Sequence, residues 1–282
     1  MSLSRALLVY QPLVDGAHAL ADQCASICSG QGVEPSVVSS WDLDGFAPCV
    51  GEALAVTFGG DGTILRVARL VAGSDTRIVG VQMGRLGFLA ELQPAEVTAK
   101  LGGYLQGDYW LDVRRMLRAE ILQGTSASDI GSQGRDASFV ALNDIVVGHS
   151  PSLRTVTVEL AMGGSSLHRF RCDGVIVATA TGSTAYSFAS GGPVLPPSSE
   201  DFVITPISPH LSTLRSFVMS GDVPIRLSVE SANGAQLTVD GQIDEMLGEG
   251  DVVEARLDSA NTLFARQGPP AELYRRVLAK LG

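Results

Sequence analysis

Along the first part of the chain, short apolar runs alternate with segments of helical period. Residues 6–10 (ALLVY) read as a buried strand, 36–39 as a short second one, and 53–58 (ALAVTF) and 77–82 as two more. Between them, Leu20, Ala21, Cys24, Ile27 and Cys28 recur at the spacing of a helix over residues 17–28, and Gly30 and Gly32 stop it. Ile64, Leu65, Ala68 and Val71 mark one side of a second helix over 63–71, and a third starts near Pro94. Strands that alternate with helices predict a doubly wound, mostly parallel sheet of Rossmann-like type.

From residue 110 the helical period almost disappears. Extended segments are expected over 110–122, 139–147, 155–161, 167–171, 175–178, 202–204, 225–229, 236–239 and 252–256. Gly163-Gly164 makes a turn, and the polar, Gly/Ser-rich stretch 124–138 reads as a hairpin tip or loop. The last segment, 271–281, carries Leu273, Val277, Leu278 and Leu281 on one face and is expected to pack back on the first domain. The pattern therefore divides the chain into an α/β domain, 1–110 joined by the helix in 261–282, and a β-rich domain, 111–260. No internal repeat is visible.

Composition narrows the function classes. The 282 residues are 45% hydrophobic and 18% charged, the balance of a globular chain with a sizeable core. A net charge of −10 argues against general nucleic-acid or anionic-membrane binding, which wants a basic face. A phosphate-bearing ligand remains compatible, since a few arginines and backbone amides reverse the potential of one cleft. No apolar stretch reaches the length of a membrane span, and the N-terminal apolar run is too short for a signal segment, so a cytoplasmic protein is expected. Cys24, Cys28, Cys49 and Cys172 have no second Cys/His pair at zinc-ligand spacing; buried thiols, not a metal site or a disulfide, are expected.

Two Gly-rich turns carry the candidate chemistry. GGDGT at 59–63 follows a strand and opens a helix, which presents backbone N–H groups to an anion. Asp61 at its tip either accepts a proton from a hydroxyl or caps the helix starting at Thr63. Asn143 and Asp144 lie inside the strand-like ALNDIVV. Two adjacent polar residues there are costly to bury without partners. They read as a pair facing a base or a ribose, or as a bulge or strand end bonded to nearby backbone. The stretch DGVIVATATGSTAYSFASGGPV supplies Asp173, Thr181, Ser183, Thr184, Tyr186 and Ser187 just after Arg171. Arg171 suits a phosphate or an ion pair with Asp173, and the stretch itself reads otherwise as an ordinary loop or a helix starting near Thr184. Asp240-Gly241-Gln242 reads, from spacing, as a hairpin turn. His210 beside two prolines reads as a loop hydrogen-bonder before a general base. No Ser-His-Asp order and no P-loop lysine motif is present.

Taken together these segments resemble the NAD kinase family. GGDGT at 59–63, MGRLGFLAE at 83–91, ALNDIVV at 141–147 and the long TGSTAY-containing stretch occur in that family's order, with ITPISPH at 204–210 and DGQ at 240–242 after them. The resemblance implies an N-terminal α/β domain, a C-terminal β-sandwich and a site between them. It implies phosphorylation of the adenosine ribose 2′-hydroxyl of NAD by ATP or polyphosphate with Mg²⁺ or Mn²⁺, in a homodimer or homotetramer. By motif, Asp61 is the base, and Gly60 and Gly62 face the phosphates. Asn143 and Asp144 hold the adenosine end, and Thr181, Thr184, Ala185, Tyr186, Ser187, Phe188 and Ala189 line the dinucleotide groove. Arg171, Asp173 and Gln242 also contact NAD, with Arg66 and Arg154 at further binding positions; no protein ligand set for the metal is implied. The chain departs from the family pattern at Gln82 (usually Asn), Asp144 (usually Glu), Ala180 (usually Pro) and Ala189 (usually Ser). Two other readings start from the same residues. One is a lipid kinase sharing the GGDGT turn; the other is a nucleotide-binding regulator without catalysis.

Overall fold

The computed structural model describes residues 3–43, 53–84, 87–122, 137–149, 155–210 and 214–281. They form two compact units, 1–114 with 260–282, and 115–259. Among the described residues no helix is long and apolar enough to cross a membrane.

The first unit holds β1 (Arg5–Tyr10), α1 (Ala17–Gly30), β2 (Glu34–Ser39), β3 (Ala53–Gly59), α2 (Asp61–Leu70), β4 (Arg77–Gln82) and α3 (Pro94–Leu105). Its strands pair in parallel in the order β2-β1-β3-β4. β3 is buried at every position, which is why its sequence is a continuous apolar run. α3 opens on a capping box, with Gln93 and Glu96 exchanging side-chain-to-backbone bonds and Pro94 at the start of the helix.

The second unit is built of β5 (Trp110–Leu122), β6 (Ser138–Ala141), β7 (Asp144–Gly148), β8 (Val156–Met162), β9 (Ser165–Cys172) and β10 (Gly174–Ala178). A 3₁₀ turn at Gly182–Thr184 and the one-turn α4 (Tyr186–Ala189) follow. Then come β11 (Asp201–Ile207), β12 (Phe217–Ser220), β13 (Ile225–Val229), β14 (Ala235–Val239), β15 (Ile243–Leu247) and β16 (Val252–Arg266). One sheet runs β6-β5-β16-β13-β8-β9 and the other β12-β11-β10-β7-β14-β15. Leu160 and Leu227 of the first pack with Val147, Val177 and Phe202 of the second in one core, so the unit is an antiparallel β-sandwich. β5 and β16 carry the chain from one unit to the other. The end of β16 pairs in parallel with β4 (Leu263↔Arg77), and α5 (Pro270–Leu281) follows it in the first unit.

Three sequence expectations need correction. The single strand expected over 139–147 is two, β6 and β7, each in a different sheet, with the chain turning the corner at Leu142 and Asn143. β16 runs past 256 to Arg266. Leu278, placed by periodicity on the apolar face of the last helix, is 68% exposed. The loop expected over 124–138 lies, up to residue 136, outside the described residues.

Candidate active site

In the first unit the GGDGT turn joins β3 to α2. Gly60 is the helix N-cap residue, and Asp61, Gly62 and Thr63 form the first turn. Gly59 has no room for a side chain, since a Cβ there would fall 2.3 Å from Thr63 Oγ1. Asp61 is the first residue of that helix, after the N-cap. Its carboxylate accepts hydrogen bonds from the N–H groups of Phe88 (2.8 Å) and Leu89 (3.2 Å), one to each oxygen. Gln82 Oε1, at the end of β4, accepts the neighbouring N–H of Gly87 at 3.0 Å. A Cβ on Gly87 would lie 2.1 Å from Asp61 Oδ1 and 2.6 Å from Gln82 Oε1, so this loop can approach the two side chains only as glycine. Arg266, buried at the end of β16, donates to Leu89 O at 2.8 Å and holds the same loop from behind. Two bonds leave about half of the lone-pair sites of the half-buried Asp61 carboxylate open to a further donor. Arg66 is half-buried on α2.

In the second unit a cavity of about 530 Å³ opens beside the corner between β6 and β7. Of the residues singled out in the sequence, Asn143, Asp144, Asp173, Ala185 and Tyr186 line it. The corner is tied down on both sides. Asp240, in the turn between β14 and β15, accepts the N–H groups of Leu142 (3.1 Å), Asn143 (2.8 Å) and Asp144 (3.3 Å). Thr179, just after β10, takes the carbonyl side: its hydroxyl donates to Leu142 O at 2.7 Å and its N–H to Asn143 O at 2.9 Å. Gly182 packs flat on that backbone, and a Cβ there would stand 2.0 Å from Asn143 O.

These ties leave the two side chains for the cavity. Asn143 Oδ1 is buried and, among the described residues, has no hydrogen-bond partner. A buried acceptor without a donor is costly. Asp144 is 5% exposed, and burial, with the charge of Asp240 added to it, pushes its carboxyl up to about 7. Asp173 also lines the cavity. Its carboxylate has the His210 ring at 3.9 Å, and Arg171, which is exposed, does not pair with it. The backbone N–H of His210 donates to Arg171 O at 2.8 Å.

The other candidates stand outside that wall. Thr181 and Ser187 are buried; Ser187 Oγ shares a 2.8 Å bond with Thr205 Oγ1, and Thr181 O accepts the Thr184 hydroxyl at 3.1 Å. Phe188 and Ala189 are exposed on α4, and Gln242 is half-buried in the turn after Asp240. Arg154 lies outside the described residues. The cavity also takes Asp240 of the DGQ turn and three residues that the sequence did not signal, His149, Gln236 and Thr238. Only the pairing of β7 with β14, which sets Gln236 opposite Gly148 and Thr238 opposite Val146, brings the last two there. The expected thiols hold for the described cysteines: burial pushes Cys24 up to about 12 and Cys28 and Cys172 up to about 11, and all three are free.

Family models match both units, the ATP-NAD kinase N-terminal domain over residues 15–109 and the ATP-NAD kinase C-terminal domain over residues 142–265. The NAD kinase of Dehalococcoides mccartyi strain BAV1 is 36% identical over 275 residues, 97% of this chain and 94% of that one. The chain belongs to the NAD kinase family. The NAD kinase of Chloroflexus aurantiacus strain J-10-fl is 34% identical over 280 residues, 99% of each chain. Among solved structures, an NAD kinase from Archaeoglobus fulgidus in complex with ATP aligns with a TM-score of 0.75 and 28% identity over 98% of this chain and 99% of that one. Yeast NADH kinase complexed with NADH aligns over 100% of this chain and 88% of that one, with a TM-score of 0.86, and at 21% identity it shows the shared fold. The NAD kinase match thus extends well beyond the GGDGT turn that lipid kinases share.

Proposed function

We propose that this chain phosphorylates the adenosine ribose 2′-hydroxyl of NAD to give NADP, with ATP or inorganic polyphosphate as donor. The observation that carries the reading is the cavity of the second unit. It offers a buried amide oxygen without a donor and a buried carboxyl side by side, with Tyr186 on its rim. Hydroxyl and amino protons of an adenosine are what such acceptors lack, and an aromatic ring suits a base. Family membership and the ATP-bound relative support a nucleotide donor.

In this reading Asp61 takes the proton of the 2′-hydroxyl as its oxygen bonds to the terminal phosphorus and the bond to the leaving phosphate breaks. A sugar hydroxyl is a weak nucleophile at neutral pH, and a placed base contributes roughly 10²–10⁴-fold. The N–H bonds from Phe88 and Leu89 fix the carboxylate's orientation, so positioning does not fall to the substrate. Gly60 and Gly62, at the N-terminus of α2, meet phosphate oxygens, and Arg66 lies one turn along. Asn143 and Asp144 hold the adenosine end. Thr181, Thr184, Ala185, Tyr186, Ser187, Phe188 and Ala189 border the dinucleotide, with Arg154, Arg171, Asp173 and Gln242 contacting it further out.

Phosphoryl donors are generally handled with a divalent cation, Mg²⁺ or Mn²⁺ here, which neutralises phosphate charge. Among the described residues no three His, Cys, Asp or Glu side chains stand close enough to cage a cation. The cation is expected to be held chiefly by the donor's phosphates, as Mg²⁺ usually is. We further assign the protein to the cytoplasm, as a homodimer or homotetramer.

The test is direct. Purified protein is incubated with NAD, Mg²⁺ or Mn²⁺ and either ATP or polyphosphate, and NADP is read by an NADP-specific dehydrogenase. NADP accumulation with at least one donor is expected. Tight NAD binding with no NADP from any donor would turn the reading into that of a nucleotide-binding regulator.

A further inference from the structure

We infer that Asp240 is a positioning residue for dinucleotide recognition: it aims Asn143 and Asp144 into the cavity and sets a second negative charge beside Asp144. The inference rests on the NAD kinase reading above and deepens it. Three consecutive backbone N–H groups converge on one carboxylate that is 7% exposed, and the N–H of Asp240 returns a bond to Asp144 O at 2.9 Å. An aspartate serving only its own hairpin would bond to backbone two residues on. This one reaches residues 96 to 98 positions earlier in the chain. It does so from an Asp-Gly hairpin turn with positive φ at both residues, 49° at Asp240 and 63° at Gly241.

The arrangement has a chemical consequence. Asp144 shares its surroundings with Asp240 from the β14–β15 turn, Asp173 before β10, His149 after β7 and Tyr186 on α4. Burial and the Asp240 charge hold the Asp144 carboxyl near 7, so near neutral pH it is divided between its acid and its carboxylate. A ribose hydroxyl donates to the carboxylate, so binding favours that form and expels a proton. NAD affinity therefore rises with pH until Asp144 is fully ionised. The backbone ties and the charge both come from Asp240, so replacing it alters the pH profile as well as the affinity.

Calorimetric titration with NAD, in two buffers of different ionisation heat, tests this from about pH 5.5 to about pH 8.5. The wild type is expected to bind roughly 10-fold tighter per pH unit well below the midpoint, to level off above it, and to release about half a proton at pH 7. Asp240→Asn should bind more weakly above the midpoint, move the midpoint down, and release less proton at pH 7 than the wild type. Asp144→Asn should flatten the profile, which separates Asp144 from His149. Weaker binding by Asp240→Asn with an unmoved midpoint would reduce Asp240 to a structural prop and overturn the inference. If Asp240→Asn does not fold, the wild type and Asp144→Asn still decide, since a wild-type affinity indifferent to pH overturns it. A wild type that binds NAD with the expected profile but forms no NADP would instead contradict the kinase reading and leave Asp240's role standing.

Discussion

At the scale of single residues, two glycines discriminate between holding a site and holding the fold. A Cβ on Gly87 meets the movable ends of two side chains, Asp61 and Gln82. Gly87→Ala is therefore expected to displace the Asp61 carboxylate and lower kcat at least tenfold. Urea unfolding should shift by about 1–3 kcal/mol, the usual cost of overpacking. A Cβ on Gly182 meets the backbone of Asn143, which Asp240 and Thr179 hold from both sides. Gly182→Ala should therefore raise the Kd for NAD and also destabilise the second unit, seen as faster hydrogen exchange of the β7 and β10 amides. Unchanged kcat in Gly87→Ala, or unchanged NAD binding in Gly182→Ala, would contradict the difference. Asn143 and Asp144 were legible because a polar pair interrupts an apolar run. Asp240 was visible only as part of a turn, because its partners lie so far back in the sequence that only the β7–β14 pairing reveals them.

At the scale of elements, burial decided what the sequence could announce. β3 and β10 are buried along their length and stand out as unbroken apolar runs. β12 and β15 went unseen: both are edge strands whose exposed positions alternate along four or five residues, and one reads IDEML. The hidden end of β16 has the same cause, since its middle, DSAN, interrupts the apolar pattern. In the sandwich, Phe202 on β11 is fully buried in the shared core. Phe202→Ala should cost about 3–5 kcal/mol, measured by chemical unfolding of the second unit. A loss below about 1 kcal/mol would mean that the two sheets do not share the core described.

At the scale of the whole molecule, two buried carboxyls set opposite slopes of stability against pH. Burial would raise Asp112, but Arg114 at 2.7 Å and Arg266 at 3.3 Å more than offset it and hold its carboxyl below the usual range. The stability this contributes is present above about pH 4, where an unfolded aspartate is ionised, and is lost as pH falls through the lower folded value. Asp144 is raised, so the folded state binds a proton more tightly than the unfolded chain does. Its ionisation costs stability progressively from about pH 4 up to about 7. Hydrogen exchange of the β7 and β10 amides should therefore show the second unit losing protection between pH 5 and 7, after correction for intrinsic exchange, and Asp144→Asn should remove that slope. A wild-type slope of the opposite sign would contradict the burial assigned to Asp144.

The account as a whole turns on one proton leaving a ribose hydroxyl for Asp61. Asp61→Asn keeps the shape and one hydrogen-bond acceptor but loses the basic oxygen. Steady-state turnover and calorimetric NAD binding, measured on the same preparation, give the most direct reading. The expected result is a kcat lower by roughly 10²–10⁴-fold with a Kd for NAD within a few-fold of wild type. Turnover close to wild type would remove Asp61 as the base.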